Sequence, residues 1–163
     1  MMFSKLLLIE DNIGTKNRFT DILEEHYTVT GVSTIDHAEE ELRRNKSEEM
    51  KFDLIVLDLN ISCNTVLLTK EEKAKTDNSM LTGWVWVYKN LLSEDSFAES
   101  KLYIMILSSY ITDLDRYLKS EDNAAEKEAF DKYVEQKKLK TFEKSGVGEK
   151  CKLLVDYIKD WSV

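Results

Sequence analysis

Short apolar runs alternate with amphipathic stretches along the whole chain. Leu6-Leu7-Leu8-Ile9 is a continuous apolar run that stops at Glu10-Asp11, and Phe19, Ile22, Leu23 and His26 then recur at helical spacing. Residues 27–30, aromatic and β-branched, read as a strand, with a weaker helix around Ala38 and Leu42 behind it. Residues 52–57 are the clearest buried strand, because Leu54-Ile55-Val56-Leu57 carries no polar side chain before Asp58. Trp84, Val87, Tyr88 and Leu91 mark a third helix that opens just after Gly83. Residues 102–107 form another apolar strand ending in Ser108-Ser109, and Ile111, Leu114 and Leu118 start a fourth helix. Phe130, Tyr133 and Val134 continue that helix or build an extra one. Residues 140–144 are a short strand, and Cys151, Leu154, Val155 and Ile158 line one face of the last helix. A β-α order repeated five times, with strands apolar on both faces, predicts an α/β fold: a parallel sheet covered by helices on each side.

Two segments break the rhythm. Residues 61–80 include the polar stretch from Thr69 to Asn78, which has no apolar period and reads as a long exposed loop, partly ordered around Val66, Leu67 and Leu68. In the segment 119–137 the first half is polar and rich in Ala, Glu and Lys, which suits a solvent-exposed helical extension. Neither resembles a linker, so residues 1–163 are expected to form one domain, a length that buries a core without disulfides or a structural metal. Trp84 and Trp86 alternate at the start of the third helix; Trp84 is expected inside or near the site and Trp86 more exposed.

Charge narrows the partners. With 31 acidic against 23 basic residues the formal charge is −8, which argues against general nucleic-acid or membrane-surface binding and suits a chain that gathers carboxylates around a cation. No run is long enough for a signal-peptide core or a membrane span, and a cytoplasmic location is expected. Cys63 and Cys151 are expected to be reduced thiols, and His26 and His37 make no zinc spacing with them.

The chemistry gathers at the ends of the strands. In an open parallel sheet the carboxyl ends of the strands form the ligand crevice. Here those ends carry Glu10 and Asp11, then Asp58, Ser108 and Lys144. Any one of them alone reads as a solvated strand end, but four strands ending this way together read as a site. Carboxylates at close range repel unless a cation sits among them, and an all-oxygen set with room for phosphate oxygens suits Mg²⁺. One carboxylate can then attack phosphorus and become an aspartyl phosphate. Asp58 is the natural nucleophile because it ends the strand expected at the centre, with Lys144 and the Ser108 hydroxyl to stabilise phosphoryl oxygens.

This set resembles a response-regulator receiver domain: Glu10-Asp11-Asn12 after the first strand, Asp58 after the third, Ser108 after the fourth and Lys144 after the fifth, covering Lys5 to about Trp161. The resemblance implies a flavodoxin-like five-stranded sheet in the order 2-1-3-4-5. It implies that Asp58 accepts phosphate from a histidine kinase or histidine phosphotransfer protein. Glu10 and Asp11 would hold Mg²⁺, Asp11 directly and Glu10 partly through water, with the backbone carbonyl of Asn60. Ser108 would follow the phosphoryl group and Lys144 would pair with its oxygens. Such a domain assists its own phosphoryl transfer and dephosphorylation but is not an enzyme acting on other substrates. With no output domain in the sequence, a stand-alone receiver is expected, acting through an unidentified partner, with the fourth-helix side available to targets or a homodimer.

The chain departs from that pattern at identifiable places. Ser145 stands where receivers usually place a proline that helps set a cis peptide, a state costing about 3 kcal/mol without proline. Thr141 occupies the position of the family's switch aromatic, and the adjacent Phe142 should face the other side of the strand. The long loop after Asp58 lies next to the site. Two other readings compete with this one. The first is a pseudo-receiver that keeps the fold and interface without phosphorylation. The second is a haloacid-dehalogenase-like phosphatase, which would need a second acid where Asn60 stands and its nucleophile on the first strand.

Overall fold

The computed structural model describes residues 3–44, 51–62, 68–75, 80–93, 100–144 and 149–161. Five strands, β1 (Lys5–Ile9), β2 (Thr28–Val32), β3 (Leu54–Leu57), β4 (Tyr103–Ser108) and β5 (Leu139–Glu143), pair in parallel in the order β2-β1-β3-β4-β5. This is the flavodoxin-like order that the resemblance implied. The helices are α1 (Ile13–Glu24), α2 (Ile35–Arg44), α3 (Lys70–Lys75), α4 (Thr82–Val87), α5 (Ile111–Leu118), α6 (Ala124–Glu135) and α7 (Glu149–Trp161). The fourth helix of the sequence pattern is therefore α5, and Phe130 and Tyr133 belong to a separate helix, α6.

Strand alternation sorts the core into two layers. Leu6, Leu8, Leu54, Val56, Met105 and Leu107 pack with Phe19 and Leu23 of α1 and with Leu154 and Ile158 of α7. Leu7, Ile9, Ile55, Leu57, Ile104 and Ile106 point the other way, against α2, α4, α5 and α6. Central strands buried on both faces need continuous apolar runs, which is why β1, β3 and β4 were readable. Burying each such Leu or Ile contributes about 1.5–3 kcal/mol, and this holds the strand ends at one edge in register. Phe142 packs with Tyr157 in the α1–α7 layer, their rings 5.3 Å apart, so it faces away from the layer a switch aromatic would need.

Side chains define where the helices begin. Asn12 caps α1 by accepting from the Thr15 N–H at 2.9 Å, and the Thr34 hydroxyl accepts from the His37 N–H at 3.2 Å at the start of α2. His26 sits in the turn just beyond α1, with its Nε2 3.2 Å from Lys159 Nζ, and His37 lies within α2. α4 passes directly into a π turn, Tyr88–Leu92, where the Asn90 side-chain amide donates to the Trp86 carbonyl at 3.0 Å.

The segment expected as an exposed loop is exposed at Thr69, Lys70, Glu71 and Ala74, but it is anchored to the core at two described residues. Ile61 and Leu68 are buried, and Ser62 bridges to Thr34 beyond β2, its carbonyl accepting from the Ile35 N–H at 3.1 Å. The chain leaving Asp58 thus runs toward the β2 side of the sheet. Thr69 and Glu72 then form a capping box: the Thr69 N–H donates to Glu72 at 2.6 Å and the Glu72 N–H donates to the Thr69 hydroxyl at 3.1 Å. That box opens α3 inside the polar stretch that showed no apolar period. Glu72 also pairs with Lys89 at 2.9 Å, pinning α3 to the π turn. Val66, Leu67, Cys63 and Ser145 lie outside the described residues, as does the Cys151 side chain.

Trp86 corrects a second expectation. Both Trp84 and Trp86 are 0% exposed. Their ring positions do diverge, but α4 has a partner on each flank. The Trp86 indole donates to Glu39 of α2 at 2.7 Å, and the Trp84 indole donates to Glu126 of α6 at 2.7 Å. Glu126 also accepts from the Tyr117 hydroxyl at 2.9 Å, so α4, α5 and α6 meet on one carboxylate. The extension over residues 119–137 begins with a 3-10 turn, Glu121–Asn123, before α6; it is mostly exposed, but Asn123 is buried and donates to the Tyr117 carbonyl at 2.8 Å.

Gly83 joins this layer to the end of β3. Its N–H donates to the Leu59 carbonyl at 2.9 Å, and a Cβ there would lie 2.5 Å from the Asp58 carbonyl oxygen and 3.1 Å from the Leu59 Cα. Gly83→Ala should therefore displace backbone at Asp58 and lower stability by about 1–3 kcal/mol in denaturant unfolding, the usual range for overpacking. The capping box has a pH signature. Burial works to raise the Glu72 pKa, but the Thr69 hydrogen bonds and Lys89 outweigh it and lower it. A lowered folded pKa means stabilisation that is present above the usual carboxylate range and lost as pH falls through the lowered value. Amide protection factors across residues 70–75, taken relative to the intrinsic exchange rate at each pH, should fall in acid, and Glu72→Gln should flatten that dependence.

Candidate functional site

Register brings the strand ends together. Ile9 pairs with Leu57 and Leu57 with Ile106, so the residues following β1 and β3 emerge side by side, with Ser108 next to them. The Asp58 N–H extends the ladder by donating to the Ile9 carbonyl at 3.0 Å. At the far side Ser108 pairs with Glu143, and the Lys144 N–H donates to the Ser108 carbonyl at 3.0 Å. Residues far apart in sequence thereby meet at one edge of the sheet.

Asp58 is buried and receives a donor on each carboxylate oxygen. The Ser108 hydroxyl donates to Oδ1 at 2.7 Å and the Lys144 ammonium to Oδ2 at 3.0 Å. Lys144 also donates to Glu10, making the ammonium a bridge between two carboxylates. Ser108 is 0% exposed and its hydroxyl accepts from the Tyr110 N–H at 3.2 Å. Glu10 is 2% exposed; its other oxygen accepts from the Asn12 N–H at 3.0 Å.

Burial and charge act against each other here. Burial raises the Glu10 pKa, and the neighbouring Asp58 charge adds to that; the hydrogen bond and charge of Lys144 oppose it without cancelling it. For Lys144, burial works to lower the pKa, but the hydrogen bond to Glu10 and the charges of Asp58 and Glu10 prevail and raise it. The ammonium is therefore held charged between its two acceptors.

Asp11 is exposed beside this buried pair, and one carboxylate oxygen from each of Glu10, Asp11 and Asp58 falls within 4.8 Å of the others. A single ammonium does not neutralise three carboxylates. The donor set is hard, all-oxygen and net negative, with one face open at Asp11, which fits a divalent cation such as Mg²⁺ better than a soft metal. Asn60 is half-buried in the turn between the buried Leu59 and Ile61, within two residues of Asp58. Thr141, in β5 opposite Ile106, brings no aromatic ring to the site side.

Three neighbours of the site were not singled out by sequence reasoning. The Tyr110 N–H and Ser109, whose hydroxyl donates to the Lys144 carbonyl at 3.0 Å, flank Ser108. Gly83 bears on the Asp58 carbonyl. All three act on or through backbone atoms, which leave no letter in a sequence. Only the glycine, read in the sequence as preceding a helix and found in the first turn of α4, offered a signal.

No family model and no curated protein matches the sequence. Solved structures share the fold. The response regulator receiver domain (CheY-like) from Methylobacillus flagellatus superposes with a TM-score of 0.54 at 13% identity, covering 96% of this chain and 99% of its own. The BeF3-activated N-terminal receiver domain of Klebsiella pneumoniae RstA gives 0.54 at 17% identity, covering 96% of each chain. The response regulator receiver domain protein from Clostridium thermocellum gives 0.56 at 15% identity, covering 97% of this chain and 93% of its own. The chain has the fold of a response-regulator receiver domain over nearly its whole length.

Proposed function

We propose that this chain is a phosphoacceptor receiver of a two-component phosphorelay, phosphorylated on Asp58 by a histidine kinase or histidine phosphotransfer protein with Mg²⁺. The observation that carries the reading is the convergence of the Ser108 hydroxyl and the Lys144 ammonium on separate oxygens of Asp58. In the transfer, an Asp58 oxygen attacks the phosphorus of a phosphohistidine, the P–N bond breaks and the imidazole nitrogen leaves with the electron pair. Such transfers depend mainly on positioning and on stabilising charge on the equatorial oxygens. Lys144 would balance charge at one oxygen, and Ser108 would shift its hydrogen bond from the carboxylate to another.

Glu10, Asp11, Asp58 and the Asn60 carbonyl are the residues that would hold Mg²⁺, which when bound neutralises phosphoryl charge. Phosphorylation changes Asp58 from −1 to roughly −2 and adds acceptor oxygens. The turn after Ser108 leads directly into α5, so a hydroxyl drawn toward the phosphoryl group would bias the α5–α6 face, where an output partner or second copy would read the state. Among the described residues no helix is long and apolar enough to cross a membrane.

Acetyl phosphate with Mg²⁺ should label the chain at about one phosphoryl group per molecule. Asp58→Asn, or chelation of the metal, should abolish the label, read by intact mass and Phos-tag gels. Full labelling of Asp58→Asn would refute the assignment. Calorimetry that finds no Mg²⁺ binding at millimolar metal would instead favour a receiver fold kept for its interface alone.

A further inference from the structure

We propose that Ser109 is a positioning residue for Lys144, fixing the peptide from which the ammonium reaches Asp58. This rests on the phosphoacceptor reading for its kinetic consequence, but its geometric content stands independently. The sheet ladder ends with Ser108 opposite Glu143 and the Lys144 N–H on the Ser108 carbonyl. Among the described residues no ladder bond beyond that one reaches the Lys144 carbonyl. The Ser109 hydroxyl does so, donating to it at 3.0 Å across a sequence separation of 35. Both backbone polar groups of Lys144 are thus committed to the adjacent residues Ser108 and Ser109.

The fixation matters because of what hangs from that peptide. A lysine side chain is a point charge on a flexible four-carbon stem, so a small tilt at its root is amplified at the ammonium. Here the ammonium must bridge Glu10 and Asp58 at once. The chain contains no proline, so no ring constrains φ in the residues that follow Lys144 in sequence. Ser109 is exposed and fills no core space, which leaves its hydrogen bond as the visible reason for a hydroxyl at this position.

The two serines divide the labour. Ser108 points its hydroxyl at the Asp58 carboxylate, and Ser109 points its own at the backbone of the residue that supplies the opposing charge. They share one turn, which the Tyr110 N–H ties to the Ser108 hydroxyl. When Ser108 moves toward a phosphoryl group, the same turn carries the Lys144 carbonyl with it, so the hydroxyl and the ammonium move as a unit.

The test uses the full chain with Ser109→Ala and Ser109→Thr. In the unphosphorylated protein, ¹⁵N-detected NMR of the Lys144 ammonium should show a slowly exchanging signal that Ser109→Ala loses and Ser109→Thr keeps. With acetyl phosphate and saturating Mg²⁺, Ser109→Ala should slow labelling about tenfold or more, as misplacing a reacting group does, while far-UV circular dichroism shows the chain still folded. Ser109→Thr should restore the rate. In a Lys144→Ala background, Ser109→Ala should add no further loss, because its effect passes through Lys144. An unchanged ammonium signal in Ser109→Ala, failure of threonine to restore it, or an undiminished effect in the Lys144→Ala background would overturn the proposal. If the wild-type chain takes no label, the phosphoacceptor reading fails, and the ammonium signal still decides the role of Ser109.

Discussion

The ammonium of Lys144 between Glu10 and Asp58 is the contact on which the site depends. A buried carboxylate without a partner carries a heavy desolvation penalty, and two side by side repel each other. Glu10 is almost wholly enclosed, and the cation held against its charged form is Lys144. That cation comes from 134 residues away, and the same ammonium reaches Asp58 across 86. Both contacts require β5 beside β4, β4 beside β3 and β3 beside β1. Strand order and the electrostatics of the site are consequently one constraint.

Much of this was legible because parallel strands buried on both faces must be apolar until they end, and the polar side chain that ends such a run is then conspicuous. Glu10, Asp58 and Ser108 announce themselves in this way, and Lys144 comes after a weaker strand at the edge. Element boundaries shifted by a residue or two, as at Thr28–Val32, where alternation at an edge strand is less clean. The burial of Trp86 was not legible, because it depends on α2 supplying Glu39 on the flank away from Trp84. Period alone says that two side chains diverge; it does not say that both directions are covered. α3 was missed for the opposite reason. Its signal, Thr69 and Glu72 at capping-box spacing, was present, but the helix is short and polar, and periodicity has nothing to count in it.

The additions to the sheet are arranged around α4. On one flank the Glu39 carboxylate takes the Trp86 indole, and on the other Glu126 takes the Trp84 indole and the Tyr117 hydroxyl. Burial, and then the Glu126 charge and hydrogen bond, push the Tyr117 pKa far above its ordinary value, so the phenol remains a donor at any physiological pH. The N-terminus of α4, through Gly83, presses on the Asp58 and Leu59 backbone. The long segment after Asp58 does not hang free of this frame where it is described: its apolar anchors Ile61 and Leu68 are in the same layer as α4. A displacement of the Asp58 turn therefore meets packed backbone rather than solvent.

These constraints bear on how Asp58 can change state. Its side-chain oxygens already hold one hydroxyl and one ammonium, and its peptide is clamped by the ladder to β1 on one side and by Gly83 on the other. Donors fixed before a reaction stabilise developing charge without reorganising at that moment, which is where electrostatic stabilisation is most effective. The turn of Ser108 to Tyr110 holds Asp58 and Lys144 through two side-chain hydroxyls rather than through the ladder. New charge at Asp58 would thus find backbone clamped beneath it and side-chain hydrogen bonds beside it. That turn leads directly into α5, so the hydrogen bonds that respond first to a change of charge at Asp58 stand at the start of a helix and not in the sheet.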